Sequence, residues 1–279
     1  MSARRDYRPS ASNIKRLTVF RAPLPLNALD SQTGILLIGH GTRRPEGNRA
    51  FLDLCRASAR LAGKAAVEPC FLEIAEPAID RGLENLARRG VSRLVVVPMQ
   101  LTAGRHVQHD IPNQVYQALK RLPRMSVAFA NHLGSHAGLV DLAEERLNRA
   151  VGGRVPARSC ALVLVARGSR DPAVRDEIVR QARLRRERNG MGEVFASFLA
   201  MSEPSFGEVL DRAALADWDR VVVQPHLLLP GQLTRRLEAR IRDMSARYSQ
   251  TEWIVVSPLG PDARLAVMAL DLAIEALRG

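Results

Sequence analysis

Four side chains able to bind a metal or carry a proton stand out by their setting. His40 lies between two glycines, Gly39-His40-Gly41, directly after a short apolar run. Glu73 closes a second such run, and His106 and His109 follow a third. Imidazole titrates near neutrality, and its neutral form accepts a proton and ligates borderline divalent ions equally well. A carboxylate beside it adds charge and a second proton carrier. Glycines on either side let the backbone turn tightly and let a ligand come close. They would also suit a phosphate loop, but G-x-G-x-x-G and Walker A patterns are both absent. His106 and His109 are three apart on a predicted helical start, hence on one face, where a helix N-terminus favours the neutral form.

The chain is written twice, and this separates chemistry from scaffold. Ile38-Gly39-His40-Gly41-Thr42-Arg43-Arg44-Pro45 returns as Val165-Ala166-Arg167-Gly168-Ser169-Arg170-Asp171-Pro172. The same offset, without a gap, carries Phe71-Leu72 onto Phe198-Leu199, Glu76-Pro77 onto Glu203-Pro204, and Pro98 onto Pro225. It sets His40 against Arg167, Glu73 against Ala200, His106 against Leu233 and His109 against Arg236. The titratable set survives in the first copy only. Glu76 persists as Glu203 just before a predicted helix, which fits a capping or helix-dipole role; Glu73 is lost together with the histidines, which groups it with the chemistry.

Each copy reads as strand then helix, four times. In the first, apolar runs predict strands over 34–39, 67–74, 93–99 and 126–131, with helices over 46–61, 77–89, 108–122 and 137–151. The second repeats this, with strands near 160–166, 193–199, 220–224 and 253–257 and helices near 174–188, 205–215, 233–246 and 263–277. Short continuous apolar runs suit strands covered on both faces. Alternation with helices implies an α/β fold, a parallel sheet of about four strands in each copy with right-handed crossovers. Ligands of such sheets bind beyond the carboxyl ends of the strands, and His40, Glu73, His106 and His109 all fall there. They are expected to face one cleft between the two halves. The organisation is therefore a basic extension over 1–33, read as disordered, a first domain over 34–152 and a second over 157–279, with 152–156 as linker.

Composition limits the partners. The 279 residues are 46% hydrophobic, with no run long enough to span a bilayer and no secretory segment. Three scattered cysteines without C-x-x-C spacing point to a reducing, cytoplasmic setting and away from thiolate ligation. The net charge of +12 attracts polyanions. Aromatic content of 4% leaves few platforms for stacking bases, so a small polycarboxylate suits the charge as well as nucleic acid does. Arg167, Arg170, Arg235 and Arg236 are placed to grip carboxylates bidentately. The arginines of the helix over 174–188, Arg185 among them, read as a solvated basic face. His132, His136 and His226 read as strand-end or surface histidines, with His226 able to line the cleft from the far wall.

Gly39-His40-Gly41-Thr42-Arg43, Phe71-Leu72-Glu73-Ile74-Ala75-Glu76-Pro77, Val95-Val96-Val97-Pro98 and His106-Val107-Gln108-His109-Asp110-Ile111-Pro112, in this order, closely resemble the motifs of the sirohydrochlorin chelatases. The likeness runs from Gly34 to the C-terminus, and the second half looks like the degenerate copy of two-domain members. The resemblance implies ATP-independent insertion of Co²⁺ or Fe²⁺ into sirohydrochlorin, in cobalamin or siroheme synthesis, without an organic cofactor. It implies His40 and His106 as metal ligands and Glu73 as the carboxylate of the same site, these three being the catalytic set. Substrate-binding roles are expected for Thr42, Arg43, Arg105, His109, Arg167 and Arg170, with His109 orienting His106. A monomer or homodimer is expected, without nucleic acid or membrane partners. A non-catalytic tetrapyrrole or metal carrier on the same scaffold is the alternative, and a basic nucleic-acid-binding module a weaker one.

Overall fold

A computed structural model describes residues 29–122, 125–152 and 157–278. The first copy runs β1 (Thr33–Gly39), α1 (Pro45–Leu61), β2 (Ala66–Phe71), α2 (Ile79–Arg88), β3 (Arg93–Pro98), α3 (Ile111–Leu119), β4 (Ser126–Phe129) and α4 (Gly138–Val151). The second runs β5 (Cys160–Ala166), α5 (Pro172–Asn189), β6 (Glu193–Phe198), α6 (Phe206–Ala214), β7 (Arg220–Pro225), α7 (Gln232–Arg247), β8 (Glu252–Val255) and α8 (Ala263–Ala276). Two parallel four-stranded sheets result, ordered β2-β1-β3-β4 and β6-β5-β7-β8. Their registers repeat: Leu37 pairs with Val97 and Leu164 with Gln224. The central strands β1 and β5 are buried along their whole length, which is why they read as unbroken apolar runs.

The helices cover the sheets in an order that the repeat does not announce. α2 and α3 cover one face of the first sheet through Ile79, Leu83, Leu86, Ile111 and Val115. Its other face, Ile35, Leu37, Val95 and Val97, is covered by α1 and by α8 from the far end of the chain. Reciprocally, the end of α4 packs Leu147 against Leu162 and Leu164 of the second sheet, beside Ile178 and Ala182 of α5. The closing helices are thus exchanged. The sequence boundary at 152–157 separates the repeats but not the packed cores, and the two halves are interlocked. The exchange adds buried pairing: Arg185 of α5 sits at 4% exposure, bonded to Glu144 of α4 and, at 2.6 Å, to Gln224 of β7. Arg185 therefore does not belong to a solvated face. A guanidinium that deep persists because a carboxylate meets it.

The expected extension also needs trimming. Leu29 is buried in the first core, and Asp30 accepts from Arg93 at 2.6 Å, so residues 29–33 belong to the fold. The rest of the basic segment, and most of the linker, lie outside the described residues. Among the described residues, no helix is long and apolar enough to cross a membrane. Cys55 and Cys70 are buried, and burial pushes both thiols up, away from the ligating thiolate form.

Candidate metal centre

The strand order reverses at β1: the chain leaves it toward α1 on one face of the sheet and leaves β3 toward α3 on the other. Crevices at such points hold ligands in open parallel sheets. His40 stands at the carboxyl end of β1 and His106 beyond that of β3, on either side of the crevice. β2 ends at Phe71, earlier than its sequence predicts, so Glu73 projects from the following loop. That loop is fastened to the first: Leu72 N–H donates to the Gly39 carbonyl at 2.8 Å and Glu73 N–H to the His40 carbonyl at 3.1 Å. Gly41 makes this fit possible. Its φ is +89°, and a Cβ there would lie 1.8 Å from the Glu73 carbonyl oxygen. The second copy keeps the device, with Gly168 at φ +89° and Leu199 and Ala200 donating to Ala166 and Arg167.

One donor atom from each of His40, Glu73 and His106 falls within 4.8 Å of the other two. His40 Nε2 is 3.5 Å from Glu73 Oε1, and the two imidazole rings meet edge-on with centroids 5.0 Å apart. His40 Nδ1 faces the Gly41 carbonyl at 3.2 Å. A carbonyl only accepts, so Nδ1 carries the hydrogen and Nε2 keeps its lone pair, directed into the cluster. Burial lowers the His40 pKa, with the Arg167 cation acting in the same direction, so the ring is neutral at neutral pH and in its ligating form. The three groups are half-buried to exposed, which leaves the cluster accessible.

His106 opens a single π-helical turn, His106–Asp110, that runs into α3. The wider turn aligns residue i with i+4, so Asp110 rather than His109 stands beside His106. Its Oδ2 lies 2.8 Å from His106 Nδ1, which fixes that nitrogen as the donor and leaves Nε2 for a metal. Burial pushes the Asp110 carboxyl up, but the hydrogen bond from His106 and the Arg105 cation outweigh it and hold it below the usual range. Asp110→Asn keeps the shape and removes the charge. It should weaken Co²⁺ binding roughly 10- to 100-fold, as outer partners of ligating histidines commonly do. Isothermal titration checks this; unchanged affinity would detach Asp110 from the site.

The remaining expected residues lie outside this cluster. His109 is exposed and, with Arg105, Gln108, Asp110, Asn113 and Asp171, lines a cavity of about 510 Å³. Arg170 lines another of about 460 Å³ with Arg175 and Met201. Thr42 is bound to Asn48 through both its N–H and its carbonyl, so it shapes the loop, and Arg43 is exposed beside it. Arg167 reaches across from the second half to 3.2 Å from His40 Nε2. Glu76 accepts from Ala78 N–H just ahead of α2, the structural role expected of it.

The other histidines are not in the crevice. His226 does not line it; its ring is buried and faces the Leu101 carbonyl, near Glu177 and His132. Glu177 of α5 approaches His132 at 3.5 Å and accepts from Ala103 N–H at 3.4 Å. Residues of the second half thereby hold the loop that ends at His106. Burial pushes the His226 pKa down to about 4. The unfolded chain takes up a proton near pH 6.5 that the folded one refuses, so stability falls as pH drops from about 6.5 to 4. Lost stability at the acid end is on the order of 3 kcal/mol for this group. His226→Gln should flatten that slope in urea melts between pH 7 and pH 4.5; an unaltered slope would place the acid sensitivity elsewhere.

The CbiX family model matches residues 34–150 and again 161–276. The chain belongs to the CbiX family. It is 30% identical over 236 residues to a sirohydrochlorin ferrochelatase of Priestia megaterium, covering 83% of this chain and 86% of that one. It is 26% identical over 247 residues to a sirohydrochlorin cobaltochelatase of the same organism, covering 88% and 80%. Among solved structures, SirB from Bacillus subtilis with Fe³⁺ superposes with a TM-score of 0.77 at 25% identity, over 88% of this chain and 94% of that one. The double match of the CbiX model agrees with the internal repeat and with two sheets of identical order.

Proposed function

We propose that this protein is a sirohydrochlorin chelatase that inserts Co²⁺ or Fe²⁺ into the macrocycle without nucleotide. The observation that carries the reading is the convergence of His40, Glu73 and His106 at the strand ends, with a donor atom of each within 4.8 Å of the others and none of them fully buried. The names of the CbiX relatives support the substrate. Insertion requires three events: the metal sheds water, the macrocycle loses two N–H protons, and the metal–nitrogen bonds form. The Nε2 atoms of two imidazoles suit a borderline dication. Glu73 offsets the metal charge and takes up a pyrrole proton, and His40 or His106 takes the other as its metal departs. Arg43, Arg105, Arg167 and Arg170 pair with the peripheral carboxylates, and the net charge of +12 draws such a polyanion in. The cytoplasm is the expected setting.

Anaerobic visible spectroscopy tests this. Purified protein, sirohydrochlorin and either Co²⁺ or Fe²⁺ should give the metallated spectrum faster than the same mixture without protein, and the faster metal identifies the physiological one. A tetrapyrrole that binds but stays unmetallated would make the protein a carrier instead.

A further inference from the structure

We infer that Arg167 is a built-in competitor of the incoming metal, and that a carboxylate of the bound macrocycle must draw it off His40 before the metal can enter. The inference rests on the reading of His40 as a metal ligand and of the substrate as a polycarboxylate. Arg167 Nη1 lies 3.2 Å from His40 Nε2, across the junction of the two halves. Nε2 is the nitrogen left with a lone pair once Nδ1–H is given to the Gly41 carbonyl. One lone pair accepts one partner: it takes an N–H from Arg167 or it binds a metal.

The placement is built, not incidental. Arg167 occupies the position of His40 in the second copy, and its carbonyl is held by Ala200 N–H at 3.0 Å as that of His40 is held by Glu73 N–H at 3.1 Å. The side chain therefore starts from a fixed strand end. The carboxylate that would have met it locally is absent, because Ala200 stands where the first copy has Glu73. Among the described residues, no carboxylate lies within ion-pair distance of Arg167. A permanent cation is thus spent on a neutral acceptor. Guanidinium binds carboxylate bidentately, two hydrogen bonds with opposite charge, where His40 offers one neutral acceptor. It also repels a dication at the spot it occupies. A macrocycle carboxylate in the crevice is the better partner, and pairing with it frees Nε2. The order is then macrocycle first, metal second, and by linkage each ligand tightens the other. An idle protein would hold loosely any metal it meets, which limits capture of the wrong ion.

Co²⁺ titration of the macrocycle-free protein, followed by calorimetry, reads the competition directly in wild type, Arg167→Ala, Arg167→Lys and His40→Ala. Arg167 is exposed, so its replacement leaves the core intact. Arg167→Ala should bind Co²⁺ at least about 10-fold more tightly than wild type, the worth of one hydrogen bond plus a like charge removed. Arg167→Lys should fall between them. In turnover, Arg167→Ala should show a lower KM for Co²⁺, a higher KM for sirohydrochlorin, and loss of the ordered binding pattern. Unchanged or weaker Co²⁺ binding in Arg167→Ala would overturn the inference. His40→Ala separates the two levels: if it abolishes Co²⁺ binding while Arg167→Ala changes nothing, only the competition fails. If His40→Ala binds as wild type does, the metal site itself is misassigned.

Discussion

Alanine in place of His40 or of His106 should slow metal insertion into sirohydrochlorin by at least ~100-fold while the protein stays folded. Each ring supplies one of three donor atoms within 4.8 Å, so its loss leaves at most two protein ligands and removes a proton acceptor. Neither side chain is part of the core, because both are only half-buried at the strand ends. Circular dichroism and thermal melts should therefore match wild type. The effects of the two substitutions should be far from additive, since either alone dismantles the same centre. Insertion by either variant at the wild-type rate would remove imidazole from the mechanism.

Gly41→Ala should be severely destabilising, and Gly168→Ala is its internal control. At both positions φ is +89° and the added Cβ would come within 1.8 Å of a carbonyl oxygen, of Glu73 in one case and Ala200 in the other. The backbone must move, which breaks the paired N–H to carbonyl bonds joining the first two strand-end loops. We expect a loss of about 3–5 kcal/mol in each variant, the range of severe backbone conflicts. The functional outcomes should differ. Gly41→Ala separates Glu73 from His40 and should lose Co²⁺ binding, whereas Gly168→Ala should keep it. Denaturant melts and Co²⁺ titration on both variants check this. Equal metal binding in the two would mean that the loop junction of the first copy does not build the site.

The internal repeat made the strands legible because β-strands covered on both faces are short apolar runs, and matched runs at one offset reinforce each other. The same comparison picked out His40, Glu73, His106 and His109, since scaffold residues were kept in both copies and these four were not; the first three come together, and His109 does not join them. What stayed hidden has specific causes. The pattern of α4 and α8 shows that each has an apolar face but not which sheet receives it, so their exchange was invisible. The π-helical turn leaves no period of its own, and counting His106 and His109 on an α-helix chose the wrong neighbour; Asp110 is the residue that the wider turn brings alongside. Arg185 looks like its exposed neighbours on α5 until Glu144 and Gln224 close over it. His226 follows an apolar strand as His40 does, but it lacks the flanking glycines, and its ring is buried.

On the proposed reading, one copy carries the chemistry and the other only the scaffold and a cation. Crystals of the full chain soaked anaerobically in Co²⁺ and measured at the cobalt edge test it most directly. A single strong anomalous peak bounded by His40, Glu73 and His106, with none beside Arg167, Ala200 and Leu233 of the second copy, is the predicted result. A principal peak in the second copy, or on the buried pair His132 and His226, would contradict it.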